Sequence, residues 1–180
     1  MSQYVYKSSI DFISELSFDY VETYSLQRGE QYEENNSSNK REYEQLKQRK
    51  FRKNDLSDLQ EIRFIELENL VGYTQYIRNE KGEFHPSAKK TNTFKSTDQQ
   101  GIDLQNILKT KIQNIPDWMC APIYRDALVF YNKNGEILET LNICLSCQHM
   151  ETRMFNQING DFVTYDLLKH FFIEAGHHIE

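Results

Sequence analysis

The most regular hydrophobic pattern lies at the C-terminal end. From Thr164 onward, Leu167, Leu168, Phe171, Phe172 and Ala175 fall on one stripe at helical spacing, and Gly176 follows as a left-handed cap. The pattern predicts a C-terminal amphipathic helix. Upstream, Ala127-Leu128-Val129-Phe130-Tyr131 and Ile137 to Cys144 are β-rich runs on either side of Asn132-Lys133-Asn134-Gly135. Asn-Gly supplies the positive φ of a tight turn, so the two runs read as an antiparallel hairpin at about 126–144.

The N-terminal half reads as mostly helical. Ser9 stands before Ile10, Ile13 and Leu16, with Tyr20 on the same helical face, as a capped first helix would have them. Ser57 opens a second helix with Glu61 in its first turn and Leu59, Ile62, Leu67 and Leu70 as apolar positions. Leu104, Ile107, Leu108 and Ile112 predict a third. Between the first two the chain turns polar, and Glu33 to Lys40 contains no apolar residue. An exposed loop is expected at about 28–40, followed by a solvated helix over Lys40 to Lys53 in which Tyr43, Leu46 and Phe51 are thinly spaced. Tyr73-Thr74-Gln75-Tyr76-Ile77 has strand composition, with Asn79-Glu80-Lys81-Gly82 turning it toward Phe84, and residues 86–101 read as loop. The expected architecture is α+β: a helical N-terminal half, a small antiparallel sheet including the hairpin, and the C-terminal helix, all in a single domain over 1–180.

Composition sharpens this in a few respects. With 38% hydrophobic and 13% aromatic residues in 180, the chain can bury a core, and 7 Gly and 3 Pro exclude collagen-like or Pro-rich classes. A net charge of −6 disfavours nucleic acid as a partner, and the basic run Lys47 to Lys53 is offset by Glu42, Glu44, Asp55 and Asp58. No apolar run approaches the roughly 18 residues of a membrane span. Met1 to Lys7 lacks the features of a signal peptide, so a cytoplasmic protein is expected. Phosphate-binding glycine loops, a calcium loop, His-Glu-x-x-His and Gly-x-Ser-x-Gly cannot be written on this chain.

Candidate chemistry converges on Cys120, Cys144 and Cys147. Extending the hairpin pairing places Cys120 opposite residues 147 to 149, at the roughly 4.5–5.5 Å Cβ spacing of opposed residues. Three readings are open. The cysteines are small buried hydrophobes; or they hold Zn²⁺ with His149 as fourth ligand, His170, His177 and His178 being alternatives; or they carry thiol–disulfide chemistry. Trp118, Tyr124 and Arg125 have the composition of a protein-recognition surface, although Trp118 and Tyr124 equally suit a core.

Residues 118–147 also carry a pattern: Cys120-Ala121-Pro122, Arg125, the hairpin, then Cys144-Leu145-Ser146-Cys147. This resembles a family of small uncharacterised bacterial proteins with Cys-x-Pro, a hairpin and Cys-x-x-Cys at the end of its second strand, which close on a short Phe- and Leu-rich helix before a Gly. The resemblance implies a shared cysteine site and no established activity. The functional expectation is a non-catalytic binding protein whose partner is another protein, such as an inhibitor or a toxin-neutralising immunity-type protein. The alternative is a redox or zinc protein using the three cysteines.

Overall fold

The computed structural model describes residues 6–53, 55–116, 120–153 and 156–179. In chain order its elements are β1 (Tyr6–Ser8), α1 (Ser9–Glu15), β2 (Tyr20–Ser25), α2 (Glu30–Lys53), α3 (Asp58–Leu67), a π-helical turn (Glu68–Gly72), β3 (Lys89–Lys95), α4 (Gln99–Leu108), β4 (Asp126–Tyr131), β5 (Ile137–Cys144), β6 (His149–Thr152), β7 (Gln157–Asn159) and α5 (Phe162–Glu174). They fall into two compact units, Met1–Leu26 with Tyr76–Glu180, and Gln27–Gln75.

The larger unit is built on a seven-stranded sheet of order β1-β7-β6-β5-β4-β2-β3. The α+β class holds, but the sheet is neither small nor purely antiparallel, since β1 runs parallel to β7. Nor is the N-terminal half uniformly helical, because β1 and β2 lie within it. Tyr20, expected on the first helix, instead opens β2. Alternation along Tyr20-Val21-Glu22-Thr23-Tyr24 sends Val21 into one core and Tyr20 and Tyr24 to the opposite face. Residues 86–101, expected as loop, contain β3. This strand is polar because it is an edge, and its Lys89, Lys90 and Lys95 guard that edge against further pairing.

The hairpin is where the turn chemistry puts it. Register runs from Asp126–Ile143 to Phe130–Glu139 and shifts at Tyr131–Ile137. Gly135 adopts φ +81°, and the Asn132 side chain accepts the backbone N–H groups of Asn134 and Glu136, closing the turn. β4 is buried on both faces. Leu128 and Phe130 face a core with Val21, Leu141, Ile143 and Met150, against which α1, α4 and α5 pack Phe12, Leu104, Leu108, Leu168 and Phe172. Ala127, Val129 and Tyr131 face the other side, beneath Leu26, Ile77 and Ala88. The last helix starts at Phe162, capped by the Asp161 carboxylate on the Val163 N–H, and ends on left-handed Gly176.

The smaller unit is a pair of helices. Residues 30–40, expected as part of a loop, form the first turns of α2. Its acidic start (Glu30, Glu33) and basic end (Lys50, Arg52, Lys53) complement the helix dipole. Tyr43 and Leu46 bury against Phe64 and Leu67 of α3, the Tyr43 and Phe64 rings stacking with centroids 5.4 Å apart. Arg63–Glu42 (2.8 Å) and Lys50–Glu61 (2.6 Å) tie the two helices together.

Candidate functional site

The face of the sheet away from α1, α4 and α5 is unusually polar, and it gathers the cysteines. β5 and β6 set Asn142 opposite Glu151 and Cys144 opposite His149. These four residues alternate with Ile143 and Met150, which point into the helix-covered core. Two loop segments close over them. Asn142 receives the Ile77 N–H on its side-chain oxygen (2.7 Å) and donates to the Glu151 carbonyl (3.1 Å). That bond accounts for the missing strand at residues 73–77. The Ile77 N–H is satisfied by a buried side chain, and the segment makes only an isolated bridge between Arg78 and Phe84.

Glu151 lies at the centre. Its Oε2 accepts the hydroxyls of Tyr124 (2.5 Å) and Tyr76 (3.1 Å) and lies 4.0 Å from the His149 Nε2. Burial pulls the His149 imidazole below its ordinary pKa, against the pull of Glu151, so the ring is favoured in its neutral form near pH 7. The Tyr124 ring stacks toward both Tyr76 and His149, with centroids 5.3 and 6.2 Å away.

The sulfurs meet on this ground. Cys120 and Cys147 form a disulfide with Cα atoms 6.0 Å apart. β4 begins only at Asp126, so the extended ladder stops short of Cys120. The chain nonetheless brings it to residue 147, within the expected window. The Cys120 end of the bond is exposed, whereas Cys147 is buried beside Tyr124 and the free thiol of Cys144. Cys144 Sγ is 3.4 Å from the Ser146 hydroxyl.

The sites expected from sequence are therefore partly rearranged. With Cys120 and Cys147 joined to each other, Cys120, Cys144, Cys147 and His149 are not assembled as four zinc ligands. Among the described residues no group of three or more His, Cys, Asp and Glu side chains converges on one point. Tyr124 is fully buried and is core rather than recognition surface, because its hydroxyl is consumed by Glu151. Arg125 is exposed, and Trp118 lies outside the described residues. Sequence reasoning passed over Glu151, Tyr76 and Asn142. The only signal was alternation through His149-Met150-Glu151-Thr152, which marks β6 and sets His149 and Glu151 on one face.

A second buried carboxylate occupies the same face. Glu22 accepts Tyr24 (2.7 Å), Tyr131 (2.9 Å) and the Lys90 ammonium (2.9 Å). Burial opposes its ionisation, but these three bonds prevail and hold its carboxyl below the usual value. Burial, reinforced by Glu22, pushes the Tyr24 hydroxyl up to about 12. No helix among the described residues is long and apolar enough to cross a membrane. No protein-family model, curated protein or solved structure matches the chain.

Proposed function

We propose that this chain is a thiol–disulfide protein whose working bond is Cys120–Cys147. One observation carries the reading: the bond is exposed at Cys120, while its buried end abuts a free thiol, Cys144, whose cross-strand neighbour is His149. Disulfides of cytoplasmic proteins are mostly transient and catalytic or redox-sensing, and a cytoplasmic location is what the sequence leads us to expect. An external dithiol reacts in two steps. Its thiolate attacks the accessible Cys120 sulfur, forming a mixed disulfide as the Cys120–Cys147 bond breaks and Cys147 leaves as thiolate to be protonated. The second thiol then displaces Cys120, so the dithiol is oxidised and the protein gains two thiols.

Equilibrating the oxidised chain in glutathione buffers tests this. A midpoint between about −270 and −200 mV is expected, and one below about −300 mV would mark a permanent staple and overturn the reading. One equivalent of zinc by elemental analysis, with thiols released by a chelator, would replace it with the zinc alternative.

A second reading, an inhibitor or immunity-type protein that binds another protein, is favoured by a different feature. α3 buries Phe64 and Leu67 on one side and exposes Leu59, Ile62 and Ile65 on another, at 79%, 56% and 53%. A helix apolar on two sides suits a protein partner. Co-purification of one partner from the native host, lost in Ile62→Glu with unchanged circular dichroism, would support this reading. Retention of that partner by the variant would reject the stripe as the contact.

A further inference from the structure

Cys144 has no access to an external substrate, being 1% exposed. It is nonetheless the only free thiol among the described residues, and it packs in one cluster with Cys147 and Tyr124. Its cross-strand neighbour is His149, and Cβ atoms of such a pair lie roughly 4.5–5.5 Å apart on one face. The groups facing that imidazole are Glu151, at 4.0 Å, and the Tyr124 ring. The disulfide sulfur that shares the cluster of this buried thiol is that of Cys147.

We propose that Cys144 is the internal exchange partner of the Cys120–Cys147 bond, with His149 as its proton acceptor. His149 takes the Cys144 proton, and the thiolate attacks the Cys147 sulfur. A Cys144–Cys147 bond forms as Cys120–Cys147 breaks, and Cys120 leaves with the electron pair as an exposed thiolate, which takes up a proton. One disulfide and one thiol exist before and after, so no oxidant or reductant is consumed. The shift hides the disulfide in the β5–β6 turn and turns Cys120 into a reactive surface thiol. It deepens the redox reading above and rests on it.

The test is to incubate the oxidised full-length chain at pH 8 with excess iodoacetamide, quench in acid, digest with pepsin and map the products by mass spectrometry. Alkylation of released Cys120 makes the shift irreversible. The expected product is therefore a Cys144–Cys147 cross-link with alkylated Cys120, absent in Cys144→Ser. His149→Asn should slow its appearance by about 100-fold, the lower range of general-base assistance. Formation of the product at the wild-type rate in that variant would remove His149 from the role. Persistence of Cys120–Cys147 with Cys120 unalkylated in the wild-type chain overturns the proposal, and needs no variant to be read. If that bond still exchanges with dithiothreitol, the redox reading survives alone. If all three cysteines are alkylated in the oxidised chain, both fall.

Discussion

Two tyrosine hydroxyls on one carboxylate oxygen make Glu151 the most consequential buried side chain on the polar face of the sheet. Hydrogen bonds to charged groups contribute roughly 1.5–3 kcal/mol, and the shorter bond is the one from Tyr124. Tyr124→Phe should therefore destabilise by about 2 kcal/mol and Tyr76→Phe by less, read from urea midpoints. Together they leave the carboxylate without either donor, so the double variant should lose more than the sum of the two. Strict additivity in that cycle would mean the two hydroxyls do not share Glu151. Glu22 makes the parallel case in pH. Its folded pKa is depressed, so its contribution is present above the unfolded carboxyl range and is lost as pH falls through the folded value. Wild type should exceed Glu22→Gln in stability at pH 7, and the gap should shrink below about pH 4.3; a gap that widens with acid contradicts the assignment. Neither carboxylate was legible in the sequence. A Glu among Tyr, Val and Thr reads as the solvent side of a strand, and only the loops at residues 76–88 and 120–125 make that side an interior.

At the scale of elements, local chemistry was legible where it was self-contained. The Asn132–Gly135 turn dictated the β4–β5 hairpin, and the Phe and Leu stripe dictated α5, because in each case neighbouring residues decide the conformation. It was illegible where the partner is distant. β1 is a three-residue strand held by β7, β7 is a three-residue strand held by β1 and β6, and β3 is a polar edge supported by β2. Of α2 only Lys40 to Lys53 was legible; Glu33 to Lys40, with no apolar residue, has loop composition, although the acidic start and basic end mark one helix. The link from β3 to α4 shows two local rules in conflict. Gly101 lies in the first turn of α4, where helix propensity favours Ala by about 1 kcal/mol. A Cβ there would land on the Lys95 backbone carbonyl and come within 3.2 Å of the Ser96 Cα, and backbone cannot yield as a flexible side chain does. The clash should win. Gly101→Ala is expected to destabilise by roughly 1–3 kcal/mol, as overpacked sites do. A stabilised variant by calorimetry would show that the β3–α4 approach is looser than described.

At the scale of the whole molecule, the two units differ in how much each has to hold it together. Among the described residues the larger unit has sixteen buried in its main core, a sheet, and a buried His177–Asp126 pair at 2.6 Å that fastens the chain after α5 to the start of β4. Losing a buried hydrogen bond of this kind costs roughly 1–3 kcal/mol. The smaller unit has a core of four buried residues, Tyr43, Leu46, Phe64 and Leu67, and cross-helix ion pairs that are partly exposed. Such pairs contribute about 0–1 kcal/mol each and weaken with salt, so they do not make up for the missing core. Cooperative opening follows buried apolar surface. The amides of α2 and α3 should thus exchange through a sub-global opening at lower free energy than those of β4 and β5, which open only with the larger unit. Raising salt to 1 M should widen that difference by weakening Arg63–Glu42 and Lys50–Glu61 while leaving the buried strand β4 unaffected. Native-state hydrogen exchange followed by mass spectrometry reads both units in one sample. Equal opening free energies for α2 and β4 would show that the chain unfolds as a single cooperative body, and that its four-residue helical core draws its stability from elsewhere.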